Sequence, residues 1–237
     1  MTKHDDLAFR LIGVVPLRYV DCFDADGAPV FTLDNAPLWD FTLATLCHKE
    51  GLSGVIVAYD DDRFLPYLEK WTGKCFLLKR PEELSAKNVT VLNVLEYVAK
   101  ALPDEAISAT HLALFEQTHP LRPDGYLTEI SRISSANPES IVVPCKTNKY
   151  TFWRKSHPEE ALERLSGSGE TADVIMLQEM LGLGAVFPVH LLDGNVSFTD
   201  DVTIIPIQED WAAFDVSDML KNPKVLEFLS KYFVKSV

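Results

Sequence analysis

The sequence predicts a three-layer α/β fold built on a doubly wound, largely parallel sheet. Three observations point to it. Short apolar runs rich in Val, Ile and Leu recur as "LIGVVPL", "GVIVAY", "CFLLK", "HLALFE" and "SIVVPC", and a strand apolar at nearly every position is one buried on both faces. Segments with apolar residues at helical spacing lie between these runs. The alternation of the two patterns gives strand–helix–strand units, whose strands run parallel.

Taken in order, Leu11–Leu17 is the first strand, broken near its end by Pro16. "RYVDCFDADGAPV" follows as a loop, with Asp24, Asp26 and Gly27 as turn formers. "PLWDFTLATLCHKEG" reads as a helix with Pro37 in its first turn and Gly51 just past its end. Gly54–Tyr59 is the second strand. "DDDRFLPYLEKW" starts a helix capped within Asp60 to Asp62, with Pro66 in the first turns, where backbone N–H groups lack partners. "CFLLK" is the third strand. Val89–Leu102 places Leu92, Leu95, Val98, Ala99 and Leu102 on one helical face. "HLALFE" is the fourth strand, and it runs into the polar, basic loop "LFEQTHPLRPDG". "YLTEISRI" is helical through Leu127, Ile130 and Ile133, and "SIVVPC" is the fifth strand.

Residues 146–173 break this rhythm with a polar arm holding one short helix signal at Pro158–Leu165. Its Tyr150, Phe152 and Trp153 pack either on a partner or back on their own domain. "GAVFPVHLL" and "VTIIPI" return to strand character, and Asn222 and Pro223 open a final helix ending near Val234.

The chain has 237 residues, 47% of them hydrophobic, which suits a single domain over residues 1–237 with the arm as an appendage. A net charge of −13 argues against duplex nucleic acid and anionic lipid as partners. No apolar run reaches the roughly 18 residues a membrane span needs, and "MTKHDDLAFR" lacks the apolar stretch of a signal peptide. Cys22, Cys47, Cys75 and Cys145 are scattered without C-x-x-C spacing, as expected of reduced thiols in a cytoplasmic protein.

Several chemistries lack their motifs. There is no phosphate loop of the G-x-x-x-x-G-K-[ST] type. "GLGAVF" has Phe187 where a dinucleotide fingerprint needs its third glycine, and "GSG" at Gly167–Gly169 lies in a polar loop rather than a strand-to-helix elbow. The six histidines show no metal spacing. His119 alone sits at a strand end among polar groups, as a solvated loop residue or as a catalytic one.

Ligands of doubly wound sheets bind outside the carboxyl ends of the strands. The first strand ends at Arg18, the second at Asp60-Asp61, the third at Lys79-Arg80-Pro81, and the fourth at Glu116 through Arg122. Three of the four ends carry arginine in an acidic protein, which favours an anion site.

These pieces, in order, resemble the acylneuraminate (CMP-sialic acid synthetase-like) cytidylyltransferase family. "VVPLRYVD" stands where that family has I-P-A-R-G-G-S-K, "VIVAYDDD" resembles V-V-V-S-T-D-D, and Arg80-Pro81-Glu82-Glu83-Leu84 resembles R-P-x-x-L. "FEQTHPLR" resembles L-Q-P-T-S-P-L-R, "LGAVF" resembles N-G-A-x-Y, and "FDVSD" resembles D-I-D-T. The match is collinear over nearly the whole chain.

The resemblance implies a nucleotide-diphospho-sugar transferase-like (nucleotidyltransferase) fold. It implies transfer of CMP from CTP to a sugar acid, with release of pyrophosphate and with Mg²⁺. It also implies a homodimer joined through the arm. Arg18, Arg80 and Pro81 would lie at the nucleotide, Arg18 facing the phosphates, and Glu116, Thr118 and Arg122 would line the sugar side. Asp215 would be a metal ligand. Asp218, one place beyond the family's second aspartate, is either a second metal ligand or a helix cap. The family's G-G-S-K is here Tyr19-Val20-Asp21-Cys22, without the small residues that let backbone N–H groups approach phosphate. Glu116 and His119 replace a glutamine and a serine. Two readings of other classes follow: a non-catalytic descendant that binds a nucleotide, sugar or protein, and transfer to a different acceptor with His119 or Glu116 as general base.

Overall fold

A computed structural model describes residues 8–33, 36–102, 109–148, 153–154, 163–164, 176–193, 201–213 and 215–216. The strands are β1 (Leu11–Leu17), β2 (Thr32–Leu33), β3 (Ala36–Pro37), β4 (Gly54–Tyr59), β5 (Phe76–Lys79) and β6 (His111–Leu114), followed by β7 (Ile141–Asn148), β8 (Trp153–Arg154), β9 (Glu163–Arg164), β10 (Met176–Glu179), β11 (Ala185–Pro188) and β12 (Val202–Ile207). The helices are α1 (Tyr19–Cys22), α2 (Leu38–His48), α3 (Leu65–Leu68), α4 (Val91–Lys100), α5 (Tyr126–Ala136) and α6 (Leu181–Gly184).

The main sheet runs β5-β4-β1-β6-β11-β7-β12, with β10 continuing the line of β11 along the same edge of β7. Strands β5, β4, β1 and β6 pair in parallel, as do β7 and β12. Only β10 and β11 run against their neighbours. The predicted doubly wound α/β sheet is therefore present, and the chain reverses its direction of travel across it at β1.

Side-chain alternation along each strand builds the three layers. Leu11, Val15 and Leu17 of β1, with Val55, Val57 and Tyr59 of β4, enter one core. There they meet Trp39, Leu43 and Leu46 of α2, Leu68 of α3, and Leu127 and Ile130 of α5. Ile12 and Val14, with Ile56 and Ala58, point the other way and pack on Val94, Leu95 and Val98 of α4. Each such buried aliphatic side chain contributes about 1.5–3 kcal/mol by leaving water.

Several elements differ from expectation. The helix expected from Asp60 to Trp71 is broken into a 3₁₀ turn at Asp62–Phe64, the single turn α3, and a second 3₁₀ turn at Glu69–Trp71. Pro66 offers no N–H and its ring crowds the carbonyl four residues earlier, so one continuous α-helix cannot pass through it. Asp61 does cap the segment, accepting from the Arg63 N–H at 2.9 Å. Gly51 lies just past the end of α2, as expected. Its φ of 119° and a Cβ position only 2.5 Å from the Leu127 carbonyl oxygen make glycine obligatory there.

Strand β7 extends to Asn148, into the segment set aside as an arm, and pairs there with β10. Within Pro158–Leu165, Glu163–Arg164 pairs antiparallel with Trp153–Arg154 instead of continuing a helix. The expected final helix, Tyr150, Phe152 and Asp218 lie outside the described residues. No helix among the described residues is long and apolar enough to cross a membrane.

Candidate functional site

The carboxyl ends of β1, β5 and β6 open on a cavity of about 480 Å³. Arg18 enters it from β1, Arg80 from β5, and Glu116, Gln117 and Thr118 from β6. Asp215 joins them from far along the chain, because the Val216 N–H donates to the Thr118 carbonyl at 2.8 Å. Five of the residues singled out in the sequence thus meet on one surface.

The loop after β1 is internally neutralised. Arg18 and Tyr19 begin the single turn α1, in place of the small residues an anion-binding loop would use. The Arg18 Nε donates to Asp21 at 2.5 Å, and that hydrogen bond raises the guanidinium pKa further. The Tyr19 N–H donates to the Asp60 carboxylate at 2.9 Å. Tyr19 is stacked on Phe23, with the Arg63 guanidinium 3.3 Å above its ring.

Arg80 is 4% exposed. One of its terminal nitrogens donates to the Leu17 carbonyl at 3.1 Å and lies 3.5 Å from Asp60. Its Nε has no partner. Burial lowers the Arg80 pKa and the Asp60 charge partly restores it. Gln117, which the sequence reading passed over, donates through Nε2 to the Cys22 sulfur at 2.9 Å and leaves its Oε1 unpaired. Both unpaired atoms are buried beneath the cavity wall that Arg80 and Gln117 help to form. Gln117 follows the last apolar residue of the β6 run by two positions, a place where a buried amide signals a ligand.

Glu116 is half-buried. Burial raises its pKa, and the charges of Asp215 and Asp21 push the same way. Its N–H donates to the Gly182 carbonyl at 2.8 Å, and its side chain fills the space a Cβ at Gly182 would need. This explains the glycine in "LGLGAVF".

Three expected site residues lie off the cavity lining. Arg122 is buried over the Phe115 ring, 4.9 Å to the centroid, and its Nε donates to the Leu183 carbonyl at 3.1 Å. Desolvation lowers its pKa to about 10. A terminal nitrogen lies 3.5 Å from the Glu116 carbonyl, so Arg122 braces the loop between β6 and α5 against α6. His119 is also buried, with Nδ1 3.3 Å from the Thr118 hydroxyl. Burial lowers its pKa, which keeps the ring neutral. Pro81 is exposed on an adjoining cleft of about 740 Å³, which Arg80 also borders. Among the described residues no set of three or more His, Cys, Asp and Glu side chains converges as metal ligands.

No protein-family model matches the chain, and no curated protein sequence matches it significantly. Solved structures do. The chain is similar to a CMP:2-keto-3-deoxy-manno-octonic acid synthetase complexed with CTP, at a TM-score of 0.63 and 12% identity, covering 96% of this chain and 100% of that one. It is also similar to the 4-diphosphocytidyl-2C-methyl-D-erythritol synthase of Anaerococcus prevotii DSM 20548, at 0.62 and 12%, covering 95% and 96%. A further 4-diphosphocytidyl-2C-methyl-D-erythritol synthase aligns at 0.64 and 12%, covering 94% and 100%. The chain shares the fold of these synthases over nearly its whole length.

Proposed function

We propose that the protein transfers CMP from CTP to a hydroxyl of a sugar acid and releases pyrophosphate. The observation that carries this reading is the convergence of Arg18, Arg80, Glu116, Gln117, Thr118 and Asp215 on one cavity at the carboxyl ends of the sheet. Two of the similar structures are named for diphosphocytidyl products, and the third is a CMP-sugar-acid synthetase bound to CTP.

In this reading Arg80 and Gln117 line the nucleotide side of the cavity. Arg18 faces the phosphates, and the Thr118 hydroxyl orients the acceptor. Glu116 is the general base, since a carboxyl whose pKa is raised by burial is a stronger base than an exposed one. It takes the proton of the acceptor hydroxyl as that oxygen bonds to the α-phosphorus and the bond to pyrophosphate breaks. Asp215, on the same wall, would hold a magnesium ion, which commonly takes one or two carboxylates plus phosphate oxygens and water. Such an ion supplies charge neutralisation for the triphosphate.

A second reading, a non-catalytic binding protein, is favoured by the Arg18–Asp21 pair and the Tyr19 N–H already taken by Asp60. One assay separates the two: pyrophosphate release from each of the four NTPs, with Mg²⁺, across a panel of sugar acids. We expect release with CTP and a sugar acid, lowered by about 10²–10³ in Arg80→Ala. No release with any pair overturns the transferase reading, and calorimetric binding of CTP without turnover establishes the other. The homodimer joined through residues 146–173 is proposed alongside. A monomeric mass in light scattering at micromolar concentration removes it.

A further inference from the structure

The run Asp60-Asp61-Asp62 follows β4, and its three carboxylates have three different surroundings. Asp61 caps the 3₁₀ turn and holds the Arg63 guanidinium through both oxygens. Asp62 pairs with Lys79 at 2.7 Å. These two side chains are 30% and 62% exposed, whereas that of Asp60 is 7% exposed. The cap that the sequence suggests for this run is Asp61, so the buried Asp60 carboxylate serves another purpose.

Strand β4 lies between β1 and β5, and Asp60 reaches both neighbours. Its Oδ1 accepts from the Tyr19 N–H, just past β1, at 2.9 Å. Its Oδ2 lies 3.5 Å from Nη2 of Arg80, just past β5. The same Nη2 donates to the Leu17 carbonyl at the end of β1, at 3.1 Å, so the contacts close a ring around three strand ends. Among the described residues no other carboxylate lies within ion-pair distance of Arg80. We propose that Asp60 is a positioning residue of the cavity: it fixes the Arg80 guanidinium and the turn that carries Arg18 relative to one another. The proposal rests on the reading of Arg80 as a nucleotide-side group and deepens it.

The physical reason is the burial of Arg80. A buried charge is tolerated where an opposite charge and hydrogen bonds compensate it, and removing one partner of such a pair is strongly unfavourable. The Leu17 carbonyl directs the guanidinium but carries no net charge, so the compensation falls to Asp60. Burial lowers the Arg80 pKa, and the Asp60 charge opposes that fall. On the other side, holding the Tyr19 N–H sets the direction in which the chain leaves β1, one residue after Arg18. Asparagine at this position separates the two duties. Its oxygen still accepts from Tyr19, while its amide N–H groups face the Arg80 donor, so only the second contact is lost.

The test is a double-mutant cycle in the full chain, with Asp60→Asn made in wild type and in Arg80→Ala. In pyrophosphate release, with the sugar acid that gives the fastest turnover, we expect Asp60→Asn to lower kcat/KM for CTP about tenfold and to leave KM for the sugar acid within about threefold. In the Arg80→Ala background the same substitution should cost less than about twofold. Equal losses in the two backgrounds, or a matching rise in KM for the sugar acid, would mean that Asp60 supports the fold and does not act through Arg80. Two ligand-free measurements decide the matter if the wild type turns over no nucleotide, an outcome that overturns the transferase reading alone. Asp60→Asn should lower the melting temperature by about 5 °C in wild type and by less than half as much in Arg80→Ala, and equal shifts overturn the proposal. Exchange of the Tyr19 amide hydrogen should speed up about tenfold or more in Asp60→Ala and stay at the wild-type rate in Asp60→Asn. An unchanged rate in Asp60→Ala would sink the second contact. Asparagine matches aspartate in shape, so the cycle stands even if Asp60→Ala fails to fold.

Discussion

Burial, with the charges of Asp215 and Asp21 added to it, holds the native Glu116 pKa above the unfolded value of about 4.3. The native state then binds more protons than the unfolded state, and this group's contribution to stability falls as pH rises from there through the native pKa. Glu116→Gln removes that loss. We expect its melting temperature to exceed wild type by about 2–4 °C at pH 7, corresponding to on the order of 1 kcal/mol, with the difference fading as pH approaches 4. An equal shift at both ends of the pH range would refute the electrostatic cause. The same variant loses the base, and its pyrophosphate release should drop by about 10²–10⁴. Asp21→Asn frees Arg18 from an exposed pair, so calorimetry should show CTP affinity rising about two- to fivefold. The sequence shows which residues stand at strand ends, and that sufficed for Arg18, Arg80, Glu116 and Thr118. It does not show which way a loop side chain turns. Arg122 and His119 sit four and one places from Thr118, yet both turn inward, because the loop between β6 and α5 folds back over Phe115 and α6.

At the scale of elements, β1, β4 and β6 were legible because burial on both faces leaves a continuous apolar run. The strands β10 and β11 carry no such sign of their direction, since antiparallel pairing is a property of where the neighbours come from. The turn after β1 was obscured for another reason: α1 is held by tertiary partners, Asp60 on the Tyr19 N–H and Phe23 under its ring. Gly51 offers a direct check on packing between elements. Gly51→Ala drives a Cβ into the Leu127 carbonyl at a positive φ and should cost about 2–4 kcal/mol, on the order of 10 °C in melting temperature. Gly73, also at positive φ but with open space around it, is the matched control, and its alanine variant should lose about 1 kcal/mol. Equal losses at the two sites would show that the contact with α5 is not what demands glycine.

For the molecule as a whole, the charge of −13 opposes the approach of a triphosphate even though the cavity presents guanidinium groups. Long-range repulsion is screened over about 8 Å at physiological ionic strength and over about 30 Å at 0.01 M. CTP association measured by stopped flow should therefore speed up between those salt concentrations, the reverse of electrostatic steering. A rate that falls with salt would place a dominant positive potential at the cavity mouth.

The one antiparallel strand between β6 and β7 has a consequence for the order in which the chain assembles. Strands β1, β4, β5 and β6 all lie within residues 11–114 and can pair with one another as they emerge. Strand β7 has no place beside β6 until β11 arrives between them, some seventy residues later than β6 itself. Refolding should therefore proceed through an early half-sheet whose β6 edge is still open, followed by a slower step that closes it, as chains of this length commonly fold through intermediates. Pulse-labelled hydrogen exchange would show amides of β1 and β4 protected before those of β11. Until that closure the Thr118 loop has no α6 to rest on, so the cavity at the strand ends is completed late.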